Sequence, residues 1–244
     1  EILTIGDELC RGEIIDTNPG VITIPGRKPI TEAKGHNYGA LSFEDVLVHS
    51  SNVGAIKIGF KVGAERMERY MRRFGFGQFT GTELIGESRG QVKPLPQINE
   101  SALASMSMGY EVSVTPLQMA AAVSSVANGG TLYKPHVVRA VIQNGVRKVT
   151  APKAVRRTIN ENTAAELTTI MERVVSEKIG TGNLAQIDGY QVAGKTGTAQ
   201  KADPVTHRYS ADKRFSSFVG FAPAENPRIA LGVFVDEPRG EVYG

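Results

Sequence analysis

Three strand patterns close this chain, at Tyr190 to Ala193, Ser216 to Phe221 and Arg228 to Val235, and the segments with helical spacing come before them. That order restricts the architecture. Helices gathered ahead of a cluster of strands segregate into an α+β domain, here with a mainly antiparallel sheet. Ser42 is placed to cap a helix over Phe43 to Val48, with Glu44 and Asp45 favourably set in its first turn. Asn52 to Phe60 is apolar at helical spacing, and Ala64 to Phe74 is an amphipathic helix that Gly75 closes. Thr115 with Pro116 starts a helix that runs to Ala127 and stops at Asn128-Gly129-Gly130. Asn160 caps another, expected over Glu161 to Ile179 and ended by Gly180. Val21 to Ile24 reads as a short strand, Thr131 to Gln143 alternates like one, and Val146 to Val155 is its expected partner. Gly77 to Asn99 is rich in turn residues and reads as loop.

Composition narrows the class of function. Hydrophobic residues make up 41% and charged residues 22% of 244, enough for a real core. The net charge of +3, from 28 basic and 25 acidic residues, is too small and scattered to argue for nucleic acid. The basic run Arg66 to Arg73 alternates with Met67, Tyr70 and Met71 and reads as a solvated helix face. A lone cysteine, Cys10, allows no internal disulfide and no Cys-based metal site. His36, His49, His136 and His207 form no ligand-spaced pair, so neither metal nor cofactor is expected. No apolar run reaches the roughly 20 residues of a membrane span.

The sharpest motif is Gly194-Lys195-Thr196-Gly197-Thr198, entered from an apolar strand. On a strand edge, such a lysine supplies positive charge, the threonine a hydroxyl for a carboxylate, and the glycine a close backbone approach. A phosphate loop is the rival, since Gly189 stands five positions ahead of Gly194. It fails because Tyr190-Gln191-Val192-Ala193 is strand-like and a polar stretch with Pro204 follows where a helix is needed. The second motif, Ser50-Ser51-Asn52, alone reads as a helix cap. Followed by Lys-Thr-Gly, it supplies two of the three elements of the Ser-x-x-Lys, Ser-x-Asn, Lys-Thr-Gly set.

With both motifs in order, the chain resembles the transpeptidase domain of class B penicillin-binding proteins. The resemblance rests also on Tyr38 to Val46, Ser50 to Ala55, Gly109 to Ala120, Asn128 to Gly130 and Ala193 to Gln200. It implies a penicillin-binding/β-lactamase-like fold, an antiparallel sheet flanked by helices. It implies a D,D-transpeptidase activity in which a serine attacks D-Ala-D-Ala stem peptides of peptidoglycan and β-lactams acylate the same serine. Carried over by motif, Ser50 relays protons, Asn52 holds the substrate amide, and Lys195 stabilises charge. Thr196 and Thr198 bind the carboxylate, and the backbone N–H after Gly197 serves the oxyanion. Complete relatives are expected to be membrane-anchored in the cell envelope, at the periplasmic face, and partnered with cell-wall synthesis proteins.

Two departures qualify that reading. No Ser-x-x-Lys precedes Ser50, and the one in the chain, Ser210-Ala211-Asp212-Lys213, follows Lys-Thr-Gly in a polar loop and reads as chance. The domain is therefore expected to be catalytically incompetent as it stands. Residues 1–18, through Glu1 to Leu9 and Gly12 to Asn18, resemble the opening of a CinA-type molybdopterin-binding domain, with residues 19–244 the partial transpeptidase. The fold is expected to be incomplete at both ends and marginally stable, because apolar surface normally covered would lie wet. A non-catalytic peptidoglycan- or β-lactam-binding module, a β-lactamase or carboxypeptidase relative, and a molybdopterin-type protein are the alternatives. Glu83, Glu87 and Arg89 are weaker candidates read as solvated loop charges; Tyr110 and Arg214 stay open between packing and the groove.

Overall fold

The computed structural model describes residues 12–203 and 209–240. Most of the molybdopterin-like string, Glu1 to Leu9, and Cys10 lie outside them. The described strands are β1 (Ile14–Asp16), β2 (Val21–Ile22), β3 (Ile30–Thr31), β4 (Ala40–Ser42), β5 (Gln91–Val92), β6 (Val112–Ser113), β7 (Thr131–Lys134), β8 (Ala140–Gln143), β9 (Val146–Val149), β10 (Lys153–Arg157), β11 (Ala193–Ala202), β12 (Tyr209–Ala222) and β13 (Ile229–Asp236). The α-helices are α1 (Phe43–Val48), α2 (Asn52–Val62), α3 (Ala64–Arg73), α4 (Glu100–Ser107), α5 (Pro116–Ala127) and α6 (Glu161–Ser176). Every strand pairing among them is antiparallel. The α+β class read from the sequence is the one observed.

The C-terminal sheet has the order β11-β12-β13, so β11 is an edge strand. Helix α6 packs on β11, and α5 packs on β12 and β13. Between the helices and the sheet lies the core, built on Phe43, Ile58, Met67, Leu167, Val174 and Phe221. Burying each such side chain contributes about 1.5–3 kcal/mol. Residues 12–18 join the same body: β1 pairs with β4, Lys61 makes an ion pair with Glu13, and Lys57 donates to the Asp16 carbonyl.

Several boundaries follow the sequence closely. The Ser42 hydroxyl accepts the Asp45 N–H at 3.0 Å and starts α1 where expected. Thr115 and Gln118 form a reciprocal capping box on α5. Others moved for identifiable reasons. Helix α6 stops at Ser176, short of Ile179, because the turn after it satisfies the last carbonyls: Gly182 donates its N–H to Val174 O at 2.9 Å, and the Asn183 and Gln186 side-chain amides donate to Val175 O. The expected strand over Thr131 to Gln143 is two strands, β7 and β8, interrupted at Pro135, which has no N–H for a ladder. Their partners are β10 and β9, so Val146 to Val155 also divides. Helix α4 was not expected; Asn99 caps it by accepting the Ala102 N–H at 2.9 Å. The Tyr190 to Ala193 strand begins only at Ala193 and runs through the Lys-Thr-Gly motif.

Gly130 closes the turn that joins α5 to β7. Its φ is +102°, and a Cβ there would stand 2.2 Å from the Ile159 carbonyl oxygen. Gly130→Ala should therefore destabilise the domain by more than about 1 kcal/mol in urea unfolding; an unchanged midpoint would contradict this packing.

Candidate functional site

The site begins with a buried carboxylate. Glu32 is 2% exposed and sits against the first turn of α2. Its oxygens accept the Ser51 hydroxyl at 2.5 Å, the Asn52 N–H at 2.6 Å and the Val53 N–H at 3.3 Å. These are N–H groups that a helix start leaves without partners, and a negative charge there also meets the positive end of the helix dipole. Ser51 in turn caps α2 by accepting the Gly54 N–H at 2.9 Å. Asn52 donates its side-chain amide to Thr31 O at 3.0 Å.

This arrangement leaves Ser50 in the connection between α1 and α2 with a φ of +57°, left-handed for a residue with a side chain. Such a backbone costs about 1–3 kcal/mol and persists where surrounding bonds over-determine it. Here the Ser50 N–H donates to Leu47 O and the Ser51 N–H to Val46 O. The result is an exposed hydroxyl directed at the sheet.

From the other side comes β11. Its glycines are explained by ring and strand packing: a Cβ on Gly194 would fall 2.2 Å from the Phe218 ring, and one on Gly197 2.6 Å from the Ser217 hydroxyl. The Gly194 to Thr198 run is extended strand, paired with Ser216 to Gly220, which excludes a phosphate loop. Across 145 residues of sequence, the Lys195 ammonium donates to the Ser50 hydroxyl at 2.8 Å; it also donates to Thr196 O at 3.1 Å. The Thr196 hydroxyl donates to that of Thr181 at 2.7 Å.

Burial lowers the Lys195 pKa from its ordinary value to about 8, with no carboxylate contributing to hold the charge. The residue is half-buried and lines the cleft. A lysine near that value passes a proton to or from a neighbouring hydroxyl far more readily than one near its ordinary value.

The cleft has a volume of about 730 Å³. Ser50, Asn52, Lys195, Thr196, Gly197 and Thr198 all line it, so all six residues expected from the motifs are brought to one place. Tyr110 and Arg214 also line it, and the Tyr110 hydroxyl accepts the Gln200 N–H at 3.2 Å. Glu83, Glu87 and Arg89 do not; Glu87 accepts the Thr80 and Gly81 N–H groups in its own loop, and Arg89 lies over Phe79. Ser210 lies in strand β12 rather than in the expected loop and is absent from the cleft lining; its hydroxyl accepts the N–H groups of Asp212 and Lys213. A second, apolar cavity of about 400 Å³ lies between the helices and the sheet. Met67, Met71, Met106, Met119 and Met171 line it, and Lys195, Thr196 and Gly197 border both spaces.

Sequence reasoning missed Glu32, Thr181 and the ring stack His36–Tyr38–His49, whose centroids are 5.4 and 4.7 Å apart at the cleft wall. Glu32 lies 19 residues from Ser51 and carries no local motif. The only available signal was His49 standing next to Ser50.

The family model of the penicillin binding protein transpeptidase domain matches residues 11–244. The chain belongs to this family, in its class B branch. The match takes in residues 11–18, and the resemblance of residues 1–18 to a molybdopterin-type opening is not shown by it. The transpeptidase domain is 39% identical to stage V sporulation protein D of Bacillus subtilis, over 86% of this chain and 32% of that protein. It is 36% identical to penicillin-binding protein PbpB of Mycolicibacterium smegmatis, over 93% of this chain and 37% of that one. Penicillin binding protein 3 of Mycobacterium tuberculosis, solved in complex with aztreonam, superposes with a TM-score of 0.87 at 32% identity, covering 97% of this chain and 55% of that one. The chain thus spans about a third of the length of these curated relatives. Among the described residues no helix is long and apolar enough to cross a membrane.

Two measurements check this site. Lys195, followed by the shifts of its ζ-nitrogen in NMR, should titrate near pH 8; an ordinary value near 10.4 would contradict its desolvation. The sign for stability follows: the lowered pKa means the unfolded chain binds more protons between about pH 8 and 10.4, so stability gains from Lys195 as pH rises through that window. Glu32→Ala, which leaves the Ser51 hydroxyl and two helix N–H groups without an acceptor, should cost about 2–3 kcal/mol in chemical unfolding, with Glu32→Gln costing less.

Proposed function

We propose that this domain is the substrate-holding part of a peptidoglycan D,D-transpeptidase, and that the nucleophilic serine comes from a Ser-x-x-Lys segment outside these 244 residues. The observation that carries the reading is the Lys195–Ser50 hydrogen bond at the junction of the polar cleft with the methionine-lined cavity. An apolar segment seated in that cavity would bring its own polar end to Lys195. The serine oxygen would attack the D-Ala-D-Ala carbonyl, and the departing D-alanine amine would take a proton relayed through Ser50 and Lys195. The amine of a second stem peptide would then resolve the ester and release the serine.

In this reading Asn52 holds the substrate amide, Thr196 and Thr198 bind the terminal carboxylate, and the N–H after Gly197 stabilises the oxyanion. Because β11 is an edge strand facing the cleft, an extended peptide can add along it. β-Lactams, which carry a carboxylate beside a strained amide, would occupy the same places, as the aztreonam complex of the Mycobacterium tuberculosis relative supports. The site of action would be the cell envelope, with other cell-wall synthesis proteins as partners and no cofactor.

The absence of a Ser-x-x-Lys ahead of Ser50 keeps a second reading in play, reversible carboxylate binding without acylation. Intact mass spectrometry after incubation with ampicillin tests the chain. No added mass is expected, in the native chain or in Ser210→Ala. An adduct lost in Ser210→Ala would make Ser210 the nucleophile and overturn the proposal. Restoring the missing segment should convert binding into a covalent adduct; if it does not, the reversible reading holds.

A further inference from the structure

The hairpin formed by β8 and β9 stands apart from everything else in the domain. Its strands pair with each other through the Asn144-Gly145 turn and, among the described residues, join no other sheet. Residues 141–149 are all exposed. Ile142 is 72% exposed, Val146 70%, Val149 59% and Val141 55%. An isolated two-stranded hairpin is marginal in water, and both its outer edges present unpaired backbone groups.

Charge singles out the same region. From Val112 to Asn160 the sequence holds seven Lys and Arg and no Asp or Glu, in a chain whose net charge is only +3. Arg156 and Arg157 are spent on the body, donating to backbone carbonyls of Arg72, Arg73, Gly129 and Ile159. Arg139, Arg147, Lys148 and Lys153 take part in none of the salt bridges among the described residues.

We propose that the β8–β9 hairpin is a docking edge for an extended, acidic segment of another protein, which adds to it as a further strand. Open edges supply main-chain hydrogen bonds, and alternating apolar and acidic residues would match the hairpin's own mixture. A lipid surface fits less well. Cross-strand partners share a face, and the pairs Ile142–Arg147 and Val141–Lys148 put an apolar and a basic residue together on each face. No face is left wholly apolar to enter a bilayer.

The test uses the whole chain, a fluorescein-labelled peptide of alternating Glu and Val, a Lys/Val peptide as control, and phosphatidylglycerol vesicles. Saturable anisotropy is expected for the Glu/Val peptide only, weakened at least about tenfold by Arg139→Glu, Arg147→Glu and Lys148→Glu together, and weakened also by raising the salt from about 0.05 to 0.3 M. Hydrogen exchange should slow at residues 140–149 on binding. The melting temperature should not change, since these side chains form no salt bridge among the described residues; if the triple variant melts early, Lys148→Glu alone must still weaken binding. No binding, equal binding of the Lys/Val peptide, indifference to charge reversal, or binding to vesicles alone would each overturn the proposal.

Discussion

A single buried carboxylate sets the geometry on which the cleft depends. Glu32 takes two backbone N–H groups and a hydroxyl at the start of α2, and so fixes where that helix begins. Burying a charge is costly unless it is paired or hydrogen-bonded, and the helix start supplies both donors and a favourable dipole. Once α2 begins at Asn52 with Ser51 as its cap, the residue before that cap has little freedom. Ser50 is driven into a left-handed conformation that a serine does not favour, with its hydroxyl facing the sheet.

The opposing wall is set by close packing. Gly194 and Gly220 face each other across β11 and β12, leaving room for the Phe218 ring to lie over the sheet. That fit lets β11 run as a continuous edge strand through Lys195 to Thr198. Helix α6 packs on this strand, and its Arg173 pairs with Asp45 of α1 at 2.6 Å, tying the sheet side to the helical side. Lys195 and Ser50 therefore meet as a consequence of two independently fixed elements. Two of the three motifs of the set lie on these two elements, and each is held by residues outside it.

Much of this was legible in the sequence because it is local. Caps at Ser42, Thr115 and Asn160, and the stop at Gly130, are read from neighbouring residues and are found as expected. The six motif residues were legible because residue type and order carry them. What escaped depends on contacts distant in sequence. Glu32 becomes important only when β3 is brought beside α2, and the early end of α6 depends on side chains of Asn183 and Gln186 that arrive from the next turn. The division of one expected strand into β7 and β8 could have been read from Pro135, yet the alternating pattern on both sides of it concealed the break. Segments with clear periodicity on one chain stretch are thus recovered, and those shaped by a distant partner are not.

In the proposed function, Ser50, Asn52 and the Lys195–Thr198 run act as one ligand-holding surface. The most direct measurement is a backbone amide NMR titration of the chain with ampicillin. Saturable shift changes gathered at residues 50–52 and 195–198, reversed on dialysis, are expected. Shifts confined to the 209–214 stretch, or none at saturating ligand, would contradict it.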